Sequence, residues 1–70
     1  MKEEWYLSTT QTILLEKICR KIELGWPKYG SATLLGLKDI IKKGTYLKIH
    51  RNFLNTIRED YIKEFCTTTI

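Results

Sequence analysis

The sequence predicts a small, mainly α-helical domain with three helices and one short β element. Apolar residues recur at the spacing of a helix face before residue 25, between residues 31 and 43, and after residue 52. Gly25 with Pro27, and later Gly44, stand where these stretches stop, as is typical of helix ends. We therefore expect helices over about residues 9–24, 32–43 and 52–66, and a short strand or hairpin near 45–50.

Length and composition favour a single folded domain. The 70 residues leave room for one domain, 1–70, in which 1–7 form an N-terminal arm and 67–70 a frayed tail. Apolar residues make up 43% of the chain, which is ordinary for a folded protein. Apolar runs such as 13–15 are far too short to span a membrane, and the polar, acidic start is unlike a signal peptide. We expect a cytoplasmic protein with no membrane partner.

The first helix has a clear start signal. Ser8 followed three residues later by Gln11 fits a capping box, in which each side chain accepts a hydrogen bond from the other residue's backbone N–H. Its apolar positions recur at i, i+4 and i+8, which places them on one face of the helix. That face consists of Leu14, Ile18 and Ile22, with Leu15 and Cys19 beside them.

Aromatic residues flank this helix on both sides. In the arm, Trp5 and Leu7 are expected to pack back onto the domain while Tyr6 faces solvent. In the turn after the helix, Trp26 and Tyr29 are expected to fold over the helix end and join the core. The alternative is that these two rings form a partner-binding surface, because Trp and Tyr are favoured anchors in protein interfaces.

The second helix is predicted over 32–43 with Ser31 as its N-cap. Gly36, inside the helix, suggests a close contact with another helix. Lys42 and Lys43 fall in the last turn, where cations favour the negative end of the helix dipole. The apolar face comprises Leu34, Leu35, Leu37, Ile40 and Ile41.

The stretch after the second helix has two interpretations. Residues 45–50 alternate and contain β-forming residues, which favours a strand. We favour one long helix next, over 52–66 with Asn52 as N-cap, because its apolar spacing is close to 3.6. Alternatively, 53–57 form a second strand and only 58–66 are helical. The long helix would carry Phe53, Leu54, Ile57, Tyr61, Ile62 and Phe65, with Phe53, Ile57, Tyr61 and Phe65 as its buried stripe.

The charge distribution along the sequence favours a polyanion as the ligand. Residues 17–58 carry a net charge of +8, whereas 1–16 and 59–70 each carry −2. A basic middle is typical of proteins that contact nucleic-acid phosphates. Lys48 and Arg51 are the best candidates, since Lys48 and His50 would share one face of the predicted strand and Arg51 would end it. The full set of candidate nucleic-acid-binding residues is Lys42, Lys43, Lys48, His50, Arg51 and Arg58.

No pattern indicates catalysis, a metal or a cofactor. The sequence has neither a GxGxxG nor a P-loop, and both serines are better explained as helix caps. His50, Cys19 and Cys66 show no ligand spacing, and two cysteines without geometry do not establish a disulfide. We expect Cys19 in the core, no enzymatic activity and no cofactor.

Part of the chain resembles a known DNA-binding family. Leu37-Lys-Asp-Ile40 followed by Tyr46-Leu-Lys-Ile-His-Arg-Asn-Phe-Leu54 resembles part of a LytTR-type domain, where a short helix precedes a segment of the kind F-x-R-I-H-R-S-Y-L-V-N. The two sequences differ at Asn55 and Thr56. The layout of the chain is also similar to that of excisionase-type winged-helix proteins. Both resemblances imply DNA binding.

We therefore expect a small basic DNA-binding or regulatory protein, from a phage or mobile element, that contacts the phosphates of duplex DNA through its basic middle. The alternative is a protein-binding inhibitor or adaptor that uses Trp26, Tyr29 and apolar helix faces against a host or regulatory protein. A chain this short has a small core, so a homodimer is a further possibility.

Overall fold

The structure, a computed structural model, describes residues 4–65, so the expected frayed tail lies outside the described residues. The prediction of a mainly α fold with three helices and a small β element is confirmed. In chain order the elements are β1 (Glu4–Tyr6), α1 (Thr9–Glu23), α2 (Ser31–Lys43), β2 (Thr45–Leu47), a 3₁₀ turn (Lys48–His50) and α3 (Arg51–Phe65).

Helix α1 begins with the predicted capping box. The Ser8 hydroxyl oxygen accepts a hydrogen bond from the Gln11 backbone N–H at 3.1 Å, and the Ser8 N–H donates to the Gln11 side-chain oxygen at 3.3 Å. At the other end, the Leu24 N–H still bonds to the Arg20 carbonyl at 3.0 Å. Gly25 then takes φ +106°, a region that favours glycine, and the chain turns away.

The core lies where the three helices meet. Helix α1 supplies Ile18, α2 supplies Leu37 and α3 supplies Ile57, and each of these side chains is 0% exposed. Cys19 is buried on the same face of α1, as predicted. Burying a side chain of this size contributes about 1.5–3 kcal/mol. The whole core consists of Leu15, Ile18, Cys19, Ile22, Trp26, Leu37, Ile40, Leu54, Ile57 and Tyr61.

Part of the predicted N-terminal arm forms a strand. β1 pairs antiparallel with β2, so that Trp5 faces Tyr46 across the sheet. The Leu7 N–H extends the pairing by donating to the Gly44 carbonyl at 2.9 Å. Leu7 packs against the core while Tyr6 is 85% exposed, which confirms the predicted orientation of the arm.

The predicted strand over 45–50 is too long. β2 ends at Leu47, which pairs with Glu4, the first described residue of the chain. Lys48–His50 form a 3₁₀ turn that leads directly into α3. Consequently, the prediction that Lys48 and His50 share one strand face is wrong.

Helix α3 is the long helix that we favoured, so the second strand over 53–57 is excluded. Asn52 is not its N-cap, because the helix continues from the 3₁₀ turn and places Asn52 within the first turn. The buried face is also shifted from the prediction. Phe53 is only half-buried and Phe65 is 40% exposed, whereas Leu54 takes a core position. The buried residues of α3 are Leu54, Ile57 and Tyr61.

Three details of α2 also differ from the predictions. Gly30 occupies the N-cap position without a side-chain hydrogen bond, so Ser31 is the first helical residue rather than the cap. Gly36 is exposed, and no neighbouring atom lies within 4 Å of the point where a Cβ would stand, so it marks no close helix contact. Leu35 does not widen the buried face, since it is 68% exposed.

Replacing Ile57 by alanine should lower the free energy of unfolding by about 2–5 kcal/mol, because it leaves a cavity in a fully enclosed site. Ile49 provides a matched control, since it is 79% exposed and the same replacement should change stability by less than about 0.5 kcal/mol. Urea denaturation followed by circular dichroism measures both. Equal losses in the two variants would contradict the packing described here.

Candidate nucleic-acid interface

Two arginines lie along one edge of α3. Arg51 is its first residue and Arg58 follows two turns later, about 10 Å along the helix axis. Both line a shallow cleft between α3 and the start of α1, together with Asn55 and Gln11. No carboxylate lines this cleft. We call Arg51, Asn55 and Arg58 the arginine edge.

Arg51 is exposed, yet its guanidinium group is supported by an aromatic ring. The guanidinium carbon lies over the Trp5 ring, 5.4 Å from its centroid. Trp5 in turn packs against Tyr46 with the ring centroids 5.8 Å apart. A cation over an aromatic face is attracted by the ring quadrupole, which contributes about 0.5–1 kcal/mol at an exposed site. The ring contact therefore restricts the orientation of the arginine.

Arg58 is held by a hydrogen bond, whereas Arg51 is held by an aromatic ring. Its Nη1 atom donates to the Asn55 side-chain oxygen at 3.4 Å. Its Nε atom is buried and has no hydrogen-bond partner among residues 4–65. A buried N–H without an acceptor costs free energy. An oxygen of a ligand could accept from this N–H only if the Arg58 side chain shifted and exposed the Nε atom.

Several cations of the basic middle are neutralised in the fold. Two of the acids, Glu23 and Asp39, belong to the basic middle itself and Asp60 comes from outside it, so the +8 of residues 17–58 is not displayed as one continuous basic surface. The arginines of the edge form no ion pair with any described residue. Within residues 4–65, the ion pairs of the basic middle include Lys28–Asp60 at 3.4 Å, Lys38–Glu23 at 2.6 Å and Lys43–Asp39 at 3.2 Å.

The six predicted nucleic-acid-binding residues do not form one site. Arg51 and Arg58 share the arginine edge, and exposed Lys48 begins the 3₁₀ turn that precedes it. Lys42 lines a separate groove between α1 and α2 that also contains Arg20 and Lys38. The remaining pair, Lys43 and His50, lines a third depression.

That third depression is a cavity of about 140 Å³ between β1, α2 and the 3₁₀ turn. Glu4 and Asp39 line it beside Lys43 and His50, so its two carboxylates outnumber its single lysine. The Nδ1 atom of His50 is buried without a hydrogen-bond partner in the described part of the chain. His50 therefore does not belong to an open basic edge.

Trp26 belongs to the core, as predicted. Only 6% of its surface is exposed, and its indole N–H donates to the Glu64 carboxylate. Its ring meets those of Tyr29, Tyr61 and Phe65 in edge-to-face contacts with centroids 5.0–6.2 Å apart. Burial leaves Trp26 no exposed ring to present to a partner, whereas Tyr29 remains half-buried.

The Tyr29 hydroxyl fixes the turn to α3 by donating to the Asp60 carboxylate at 2.5 Å. Burial, followed by the hydrogen bond to Asp60, raises the pKa of Tyr29 to about 12. The same hydrogen bond, with help from Lys28, lowers the pKa of Asp60. Both shifts favour the neutral phenol beside the ionised carboxylate.

Sequence reasoning missed Trp5 and Asn55 as parts of this surface. Asn55 carries a local signal, since Arg51, Asn55 and Arg58 recur at i, i+4 and i+7. Trp5 has no local sequence signal of this kind, because its proximity to Arg51 depends on the pairing of β1 with β2. Forty-six positions separate the two residues in sequence.

Residues 4–65 contain no group of three His, Cys, Asp or Glu side chains placed to hold a metal ion. Cys19 is a free cysteine whose burial raises the pKa of its thiol, while Cys66 lies outside the described residues. Within the described range, no helix has the length and apolarity needed to cross a membrane.

Comparison with protein-family models, with curated proteins and with solved structures found no match to this chain. The resemblances to LytTR-type and excisionase-type proteins therefore stay predictions.

The Tyr29–Asp60 hydrogen bond should make stability depend on alkaline pH. Because the pKa of Tyr29 is raised in the folded state, its contribution is complete below about pH 10 and is lost as pH rises towards about 12. Urea denaturation at several pH values measures this loss. Tyr29→Phe cannot ionise and should lack this component, so an unchanged alkaline profile in that variant would refute the assignment.

Proposed function

We propose that this protein binds duplex DNA through the arginine edge, with Lys48 beside it, and acts as a small DNA-binding regulator. The proposal rests on the surroundings of Arg51 and Arg58. Neither arginine has an acidic partner among the described residues, and both line a cleft without carboxylates. Three lysines elsewhere in the fold, Lys28, Lys38 and Lys43, are in contrast paired with acids. Both arginines thus keep a charge that a phosphate can pair with.

The chemistry of arginine supports a phosphate ligand. Its planar guanidinium presents five N–H donors in a fork that matches the oxygens of a phosphate, and it stays protonated at any physiological pH. The two arginines are about 10 Å apart along α3, so their side chains can contact two different phosphates of one duplex.

The segment before α3 adds no negative charge to this surface. Neither the 3₁₀ turn nor the first turn of α3 contains an acidic residue, so no carboxylate of these turns opposes Lys48 and Arg51.

A protein-binding role is the second candidate. It is favoured by an open groove of about 380 Å³ at the end of α1, lined by Leu24, which is 76% exposed, by Pro27 and by Phe65, which is 40% exposed. Apolar side chains grouped on a surface are typical of protein interfaces. The charged residues that line this groove, Lys21 and Glu64, have opposite signs, so binding there should respond less to salt than binding to the arginine edge.

Replacing both arginines by glutamine, in Arg51→Gln/Arg58→Gln, should weaken binding to labelled duplex DNA and reduce its salt dependence. Each phosphate contact contributes about −0.9 to the log–log salt slope, so the loss of two should lower the slope's magnitude by about 1.8. Fluorescence anisotropy titrations at several salt concentrations measure both quantities. Circular dichroism checks that the variant keeps its fold.

Lys17→Gln/Arg20→Gln removes the same charge from the exposed face of α1 and serves as the matched control. It should retain most of the parent's slope. Equal losses in the two double variants would mean that net charge, and not the arginine edge, determines binding. If the parent fails to bind duplex at low salt, the DNA-binding proposal is wrong and the groove at Leu24 becomes the leading candidate.

A further inference from the structure

We infer that Trp5 is a positioning residue that orients Arg51 to read a guanine base in the bound duplex. This inference rests on the proposed function and deepens it, because it separates a base-reading role for Arg51 from phosphate contact. The geometry that motivates it is the Arg51 guanidinium carbon over the Trp5 ring, 5.4 Å from the centroid.

The contact leaves the hydrogen-bonding groups of Arg51 available. A guanidinium group meets an aromatic ring through its face, whereas its N–H donors point outwards in its plane. Arg51 remains exposed and forms no ion pair with the described residues. Two parallel N–H groups of an arginine match O6 and N7 of guanine in the major groove, which is the commonest specific base contact.

Orientation decides whether an arginine reads a base or only neutralises a phosphate. A free side chain loses rotamer entropy when it is fixed on a base edge, and a supporting ring removes part of that loss in advance. Arg58 lacks such a ring, and its described side-chain partner is Asn55. We therefore assign base reading to Arg51 and phosphate contact to Arg58.

Trp5 is itself held in place by the sheet. It stands opposite Tyr46 in the antiparallel pairing, and the two rings pack at an interplanar angle of 43°. The hydrogen bond from the Leu7 N–H to the Gly44 carbonyl fixes the strand two residues further on. The ring under Arg51 is therefore set by backbone pairing and is not a mobile surface side chain.

The experiment compares Trp5→Leu, which removes the ring, with Trp5→Phe, which retains one. The probe is a duplex enriched from a random-sequence pool by the parent protein, and matched duplexes carry single guanine-to-adenine changes. Trp5→Leu should reduce affinity and guanine preference by about 2- to 5-fold, the value of an exposed cation–ring contact. Its salt slope should stay unchanged, because no cation is lost. Trp5→Phe should restore much of the preference.

A double-mutant cycle with Arg51→Gln separates positioning from a general structural effect. In the Arg51→Gln background, Trp5→Leu should cause no further loss of guanine preference. An equal loss in both backgrounds would overturn the inference, as would a parent without any guanine preference. If Arg51→Gln weakens binding while Trp5→Leu does not, DNA binding by the arginine edge stands and only the role of Trp5 is refuted. If neither variant changes binding, the proposed function itself fails.

Discussion

The contact between three side chains, one from each helix, organises this protein. Ile18, Leu37 and Ile57 belong to one core cluster, and all three are inaccessible to solvent. A chain of 70 residues has little other apolar surface to bury, so each helix must direct a single narrow face towards this point. The opposite face of each helix is then exposed to solvent and available for binding.

The two ends of the core are closed in different ways, and this difference decides where charge appears. At one end Trp26 and Tyr29 meet α3, and the carboxylates of Asp60 and Glu64 accept their hydrogen bonds. Acidic groups are therefore used at that end as acceptors for buried donors. At the other end the small sheet lies beside Arg51, and no carboxylate reaches the arginine edge.

The helices could be predicted because their signals are local. The capping box at Ser8, the positive-φ glycines and the apolar periods each involve a few neighbouring residues. The sheet could not be predicted from such signals, because β1 pairs with a strand some forty positions away. The predicted strand was too long because the alternation over 45–50 does not show where the chain enters the 3₁₀ turn that leads into α3.

The candidate site was predicted only in part. Arg51 and Arg58 were identified as cations, but counting charge along the sequence grouped them with Lys42, Lys43 and His50, which the fold places in other depressions. Ion pairs such as Lys38–Glu23 join residues fifteen positions apart and depend on how α1 packs against α2. Their effect on the surface charge cannot be read from a segment total.

The pairing of β1 with β2 also closes the chain into a loop of about forty residues that contains α1 and α2. Closing a loop of this length costs conformational entropy, which the three described residue pairs and the Leu7–Gly44 hydrogen bond help to offset. The helices pack through a larger apolar surface, against which Tyr46 of β2 and Leu7, next to β1, also pack. The sheet is therefore the part of the fold that opens at the lowest free energy, and its amide protons should exchange with solvent while the three-helix core stays closed.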